Sequence, residues 1–205
     1  MTMKGTGMYA ALGPPESVPP LVRAAVALAE ELDFGYSVHP ATGRLLSVLA
    51  AGVGDGLIGE TGTGTGVGVA WMVSAASSTT RIVSVESDPD QAAAAAALFA
   101  GHPNVTIVHG EANVIAAHGP FDLLVLDAPS SPGPLHWETL DPALQLTAGG
   151  VLVKDDVWPM TSWPPLAYDG SVDEQRIRWL EHPELFTSEL TVADGYAVIV
   201  GRRRP

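Results

Sequence analysis

After Gly52-Val53-Gly54-Asp55-Gly56 the chain settles into short apolar runs that alternate with longer segments carrying apolar positions at helical spacing. Strands covered on both faces read as continuous apolar runs and their crossover helices as a 3.6-residue pattern, so the alternation predicts a parallel α/β sheet. Strands are expected over 57–60, 81–86, 105–108, 121–126 and 151–153, and helices over 67–76, 91–100, 112–117, 135–146 and 172–180. Asp88 and Pro89 supply the cap and first-turn residue for the alanine-rich helix over 91–100. Two last strands, 186–192 and 196–201, flank Ala193-Asp194-Gly195, whose Asp-Gly pair favours a tight hairpin and hence an antiparallel end. Upstream, helices are expected over 16–32 and 41–51. Leu45, Leu46, Val48 and Leu49 form a helical stripe in the second, and Pro40 suits its first turn. No repeat or linker-like stretch interrupts the pattern, so 1–205 reads as one doubly wound domain. Its N-terminal helices, 1–52, border the site and 57–205 form the core.

Composition narrows the possibilities. The 205 residues carry 10 Lys and Arg against 23 Asp and Glu, a formal charge of −13, and 46% of positions are hydrophobic. A chain of this length buries roughly 70% of its unfolded surface and needs no cross-link. The absence of cysteine excludes thiolate metal sites, redox pairs and cysteine nucleophiles. The acidic balance argues against nucleic acid and anionic membranes as partners, since both require clustered cations. Arg202-Arg203-Arg204 reads as a solvated tail. No apolar block follows Lys4, and the longest uncharged stretch, 61–80, is too rich in Gly, Ser and Thr to span a membrane. A cytoplasmic homodimer acting on a small molecule is the expectation.

The chemistry concentrates at Glu60-Thr61-Gly62-Thr63-Gly64-Thr65-Gly66, where the first strand turns into a helix. Glycines there admit close approach of a ligand to the backbone, and the helix start offers unpaired N–H groups. A dinucleotide fingerprint would need glycine where Val67 or Val69 stands, which disfavours an NAD-dependent oxidoreductase, and a phosphate loop would need a lysine that is missing. Glu86, ending the second strand, suits the two hydroxyls of a ribose. The plainer alternatives are a tight βα turn and a solvated strand end.

In order along the chain, H-P-x-x-G-x-L-L at 39–46, E-x-G-T-G-T-G at 60–66, VESDP at 85–89, HGEA at 109–112, FDLLVLDA at 121–128, GGVLVKDDVW at 149–158 and ADGYAVIVGRR from Ala193 carry a resemblance. The chain resembles the small, cation-dependent S-adenosylmethionine O-methyltransferases that include catechol and caffeoyl-CoA O-methyltransferases. The resemblance implies a class I methyltransferase fold: a seven-stranded, mostly parallel sheet with an antiparallel C-terminal hairpin. It further implies methyl transfer to a hydroxyl of a small, catechol-like aromatic. Gly62, Gly64 and Gly66 would pass under the methionine part of the cofactor, with Glu60 fixing the loop. A side chain at Gly64 would then fill cofactor space. Thr63, Gly68, Ser87 and Asp127 would line the same site, Glu86 would bind the ribose, and Glu111 and Ala112 would lie by the adenine. Asp127, Asp155 and Asp156 match the metal ligands, with Mg, Mn or Ca as the cation, and Asp127, Ser130 and His39 are the candidate catalytic residues.

A physical case for the metal exists beside the resemblance. Two strands, 121–126 and 151–153, finish in carboxylates, and oxygen-only donors suit hard divalent cations. Asp155 and Asp156 could instead cap the next segment while Asp127 only touches cofactor. The chain departs from the family at three points: Ser130 stands in place of the usual catalytic lysine, Asp156 in place of asparagine, and Gly68 in place of a serine. Strand alternation aims Lys154 at the face opposite Asp155, a structural placement. His39 and His136 are candidate bases, and Trp158, Trp163, Pro164, Pro165 and Tyr168 could wall an aromatic acceptor. The missing lysine leaves a second reading open, a cofactor-binding protein without catalysis.

Overall fold

Prolines mark the helix starts. Pro20 opens α1 (Pro20–Glu31) and Pro40 opens α2 (Pro40–Ala51), positions where a missing N–H costs nothing. In a computed structural model describing residues 4–12, 17–128, 141–167 and 169–205, a 3₁₀ segment, Thr6–Ala11, precedes them, which the sequence pattern had not suggested. The alternating unit then runs β1 (Leu57–Thr61), α3 (Val67–Val73), β2 (Arg81–Glu86), α4 (Pro89–Leu98), β3 (Val105–His109), β4 (Phe121–Leu126), β5 (Leu146–Val157), α5 (Glu174–Leu180), β6 (Leu185–Ala193) and β7 (Tyr196–Arg203). Asp88 caps α4 as expected, accepting from the N–H of Asp90 and Gln91 at 2.9 Å each.

The seven strands lie in the order β3-β2-β1-β4-β5-β7-β6, parallel from β3 to β5 and antiparallel at β7 and β6. β4 shows why its run is apolar throughout: Leu123 and Val125 face a core made with α1, α2 and α3, while Phe121 and Leu124 face a second core with Leu146, Trp179 and Ile199. Among the described residues no helix is long and apolar enough to cross a membrane.

Three expectations change. The helix over 112–117 is a 3₁₀ segment, Ala112–His118. The first half of the helix over 135–146, residues 135–140, lies outside the described residues. Its described end is a single 3₁₀ turn, Pro142–Gln145, and Leu146 already belongs to β5. β5 itself is far longer than 151–153, because it has two partners: its ladder with β4 includes Phe121↔Leu146, and its ladder with β7 reaches Val157↔Ala197. Those pairings are made by segments distant in sequence, and no local pattern announces them.

Candidate functional site

The five parallel strands end on one edge of the sheet, where open α/β folds collect their ligands. Across that edge come Gly110 and Glu111 after β3, Glu86 on β2, the glycine loop after β1, and Asp127 after β4. A cavity of about 890 Å³ runs along all of them.

The loop is shaped by its own packing. The N–H groups of Gly62 and Thr63 both reach Val85 O, at 2.9 and 3.3 Å, which folds the chain back over β2. Gly62 has φ 87°, and a Cβ there would lie 2.6 Å from Ala128 N. Gly64 has φ 53°, and a Cβ there would lie 2.7 Å from the Phe34 ring. L side chains avoid this region, so the turn needs both glycines before any ligand arrives. A side chain at Gly64 would meet Phe34, which lines the cavity beside it.

Glu86 is buried, not a solvated strand end. Its Oε2 accepts from Gly64 N at 2.7 Å and its Oε1 from Asp88 N at 2.9 Å, so one carboxylate ties the loop to the start of α4. Gly62, Thr63, Gly64, Gly68, Ser87, Glu111, Ala112 and Asp127 line the cavity with it. Gly66 and Glu60 do not. Gly66 caps α3 and faces the Phe99 ring, while Glu60 lies beneath the loop. Thr63 Oγ1 and Ser84 Oγ are 2.6 Å apart, and Ser84 Oγ donates to Glu60 Oε2 at 2.6 Å. Burial pushes the Glu60 carboxyl up to about 8, against the Ser84 hydrogen bond and aided by repulsion from Glu86 and Asp155. Its Oε1 occupies the space above Gly68, which explains why no side chain stands there.

Asp127, Asp155 and Asp156 converge, each offering a carboxylate oxygen within 4.8 Å of the others. Asp155 and Asp156 lie inside β5 and not past its end, at a register shift between Lys154 and Val157. The bulge puts Asp156 at φ 61°, a conformation Asp tolerates better than most residues, and lets two successive residues serve one site. Burial and then the neighbouring carboxylates hold Asp127 well above the usual carboxylate range and move Asp155 to about 6. Lys154 opposes both shifts. Its ammonium curls to the strand ends, donating to Asp155 O at 2.6 Å and Leu126 O at 3.4 Å, so its charge reaches a cluster that alternation alone placed on the other face.

His39 caps α2. Its Nδ1 accepts from Ala41 N at 3.1 Å, its ring stacks on Tyr196 with centroids 4.2 Å apart, and burial followed by Arg44 lowers its pKa. With Nδ1 used as an acceptor, neutral His39 carries its proton on Nε2. Ser130, His136 and Tyr168 lie outside the described residues. Trp158 lines the cavity, whereas Trp163 is exposed and is not among its lining residues. Sequence reasoning missed two parts of the wall: Lys4 with Phe34, Tyr36, Ser37 and Val38, and the hairpin residues Asp194, Gly195 and Tyr196. The available signal for the second was the antiparallel turn itself, since a β7 that starts beside the end of β5 delivers its turn to this edge.

Residues 60–157 match a family described as a methyltransferase domain. No curated protein sequence matches. The fold is similar to that of a methyltransferase from Geobacter sulfurreducens at 24% identity, TM-score 0.70, covering 97% of this chain and 95% of that one. It is likewise similar to an O-methyltransferase from Bacillus cereus in complex with SAH, at 19% identity and TM-score 0.72 over 91% and 92% of the two chains. A third such structure is the O-methyltransferase TomG from Streptomyces achromogenes, involved in tomaymycin synthesis and in complex with SAM, at 20% identity and TM-score 0.72 over 98% and 96%. The glycine loop, the carboxylate strands and the sheet order thus have one common reading: residues 60–157 match a methyltransferase domain, and the chain has the class I methyltransferase fold.

Proposed function

We propose that the protein transfers a methyl group from S-adenosylmethionine to a hydroxyl of a small aromatic molecule, with a divalent cation held by Asp127, Asp155 and Asp156. The observation that carries this reading is the convergence of three carboxylates, one of which, Asp127, lines the cavity that the glycine loop and Glu86 also border. The donor set fits such a cation. Burial and then the repulsion among three hard oxygen donors raise two of their pKa values, and Lys154 is the counter-charge that opposes both shifts. The cofactors named for the Bacillus and Streptomyces proteins support the same choice of methyl donor.

When bound, S-adenosylmethionine supplies an activated methyl group and a divalent cation makes a nearby hydroxyl more acidic. The chain's own residues supply position. Glu86 keeps lone pairs beyond those taken by Gly64 and Asp88, enough to accept from ribose hydroxyls. Gly110, Glu111 and Ala112, which line the cavity after β3 beside β2, would then hold the adenine. Trp158 and Tyr196 line the same cavity as Asp127 and would cover an aromatic ring and exclude water there. His39 packs its ring against Tyr196 and, with Nδ1 taken by Ala41 N, carries its proton on Nε2 when neutral.

A labelled-methyl assay on matched catechol and phenol pairs, with and without EDTA, tests the acceptor chemistry. Transfer is expected to the vicinal diol, to stop with EDTA, and to be much slower on the phenol. Methylation that survives EDTA, or that prefers the phenol, would refute the chelating acceptor. Asp155→Asn is expected to lose the rise in melting temperature that Mg²⁺, Mn²⁺ or Ca²⁺ gives the wild type.

A further inference from the structure

Five carboxylates line the cavity: Glu86, Asp88, Glu111, Asp127 and Asp194. Of the chain's 10 Lys and Arg, Lys4 alone lines it among the described residues. Lys4 is also held there. Thr6 N donates to Gly35 O at 3.3 Å and Thr6 Oγ1 to Phe34 O at 2.8 Å, stapling the N-terminal segment onto the stretch that covers the loop. The Lys4 ammonium lies 5.7 Å from the Tyr36 ring centroid, Tyr36 meets Phe34 edge-on at 5.9 Å, and Phe34 packs against Gly64. The cation therefore stands on the aromatic wall that packs against the glycine loop at Gly64, whose N–H donates to Glu86.

A cofactor with its ribose on Glu86 and its base beside β3 points its amino-acid end toward that cation. This end carries a carboxylate, which the five protein carboxylates repel and a protein cation balances. We propose that Lys4 pairs with the carboxylate of the cofactor's methionine portion and so selects S-adenosylmethionine over nucleosides that lack it. The assignment rests on the S-adenosylmethionine reading above.

Calorimetry with S-adenosylhomocysteine and its decarboxylated analogue tests it on wild type, Lys4→Met and Lys4→Arg. Lys4 is exposed, and methionine keeps its apolar stem, so the variants retain the fold. Lys4→Met is expected to weaken S-adenosylhomocysteine about fivefold, as for a solvent-accessible ion pair, to leave the decarboxylated analogue unchanged, and to be rescued by Lys4→Arg. Equal weakening of both ligands would make Lys4 merely structural, and unchanged S-adenosylhomocysteine affinity would remove it from the site; either overturns the proposal. Wild type that binds neither ligand would overturn the cofactor reading itself and this assignment with it.

Discussion

Glu60 places an acid in the dry layer beneath the glycine loop, where its proton affinity rises to about 8. Below about pH 4.5 the group is protonated both folded and unfolded, and its contribution is fully present. Above that the unfolded chain ionises while the folded one holds its proton, so stability falls as pH rises toward 8. Thermal melts without added cations are therefore expected to show a melting temperature that drops between pH 5 and 8.5. Asp155, raised to about 6, acts in the same direction. Glu60→Gln removes the largest of these titrations and is expected to flatten the profile; an unchanged slope would show that the carboxyl is not buried as described. Two glycines with left-handed backbones give a second comparison. Gly54 has φ 66° and open space around it, so Gly54→Ala is expected to cost about 1 kcal/mol in urea unfolding. Gly64→Ala adds a collision with Phe34 and is expected to cost about 2–3 kcal/mol more.

Between elements, the segment carrying Trp158 is tied to β6 by one side chain. Glu189 Oε1 accepts from Met160 N at 2.6 Å, and its Oε2 lies 3.5 Å from Nη1 of the buried Arg176 on α5, whose Nε is 3.3 Å from Asp173. Removing the carboxylate leaves the buried guanidinium with Asp173 but takes away one of its two counter-charges and the acceptor of Met160 N, so Glu189→Ala is expected to lose about 1–3 kcal/mol by chemical denaturation, and more than Glu189→Gln. Equal losses would mean that the charge plays no part. Elements were legible to different degrees. The starts of α2 and α4 were readable from Pro40, Asp88 and Pro89, because caps depend on neighbours within one turn. The reach of β5 was not, since Gly149-Gly150 looks like a turn and becomes strand only when β4 and β7 pair with it.

For the whole molecule, the formal charge of −13 makes compactness a matter of ionic strength. Raising monovalent salt from 20 to 200 mM shortens screening to about 10 Å or less and is expected to raise the melting temperature, despite slightly weakening pairs such as Arg176–Asp173. A falling melting temperature would show that specific ion pairs outweigh the general repulsion. The same acidity concentrates at the cavity, where Lys4 and Lys154 are the nearby cations, one at its wall and one under its carboxylates.

What the amino-acid order determined by itself was whatever depends on residues near in sequence. That comprises the strand–helix alternation, the glycine loop with Glu86 at the next strand end, the closing hairpin, and the three aspartates as one candidate cluster. Tertiary structure alone decided the rest: the bulge that turns Asp156 beside Asp155, the neutral acid at Glu60 filling the place of a side chain on Gly68, the capping of α2 by His39, and the arrival of Lys4 and Asp194–Tyr196 at the cavity. Each of these follows from which strands become neighbours and from how much water that pairing removes. Those are contacts and burial set by residues tens of positions apart, which no local pattern of apolar and polar residues encodes.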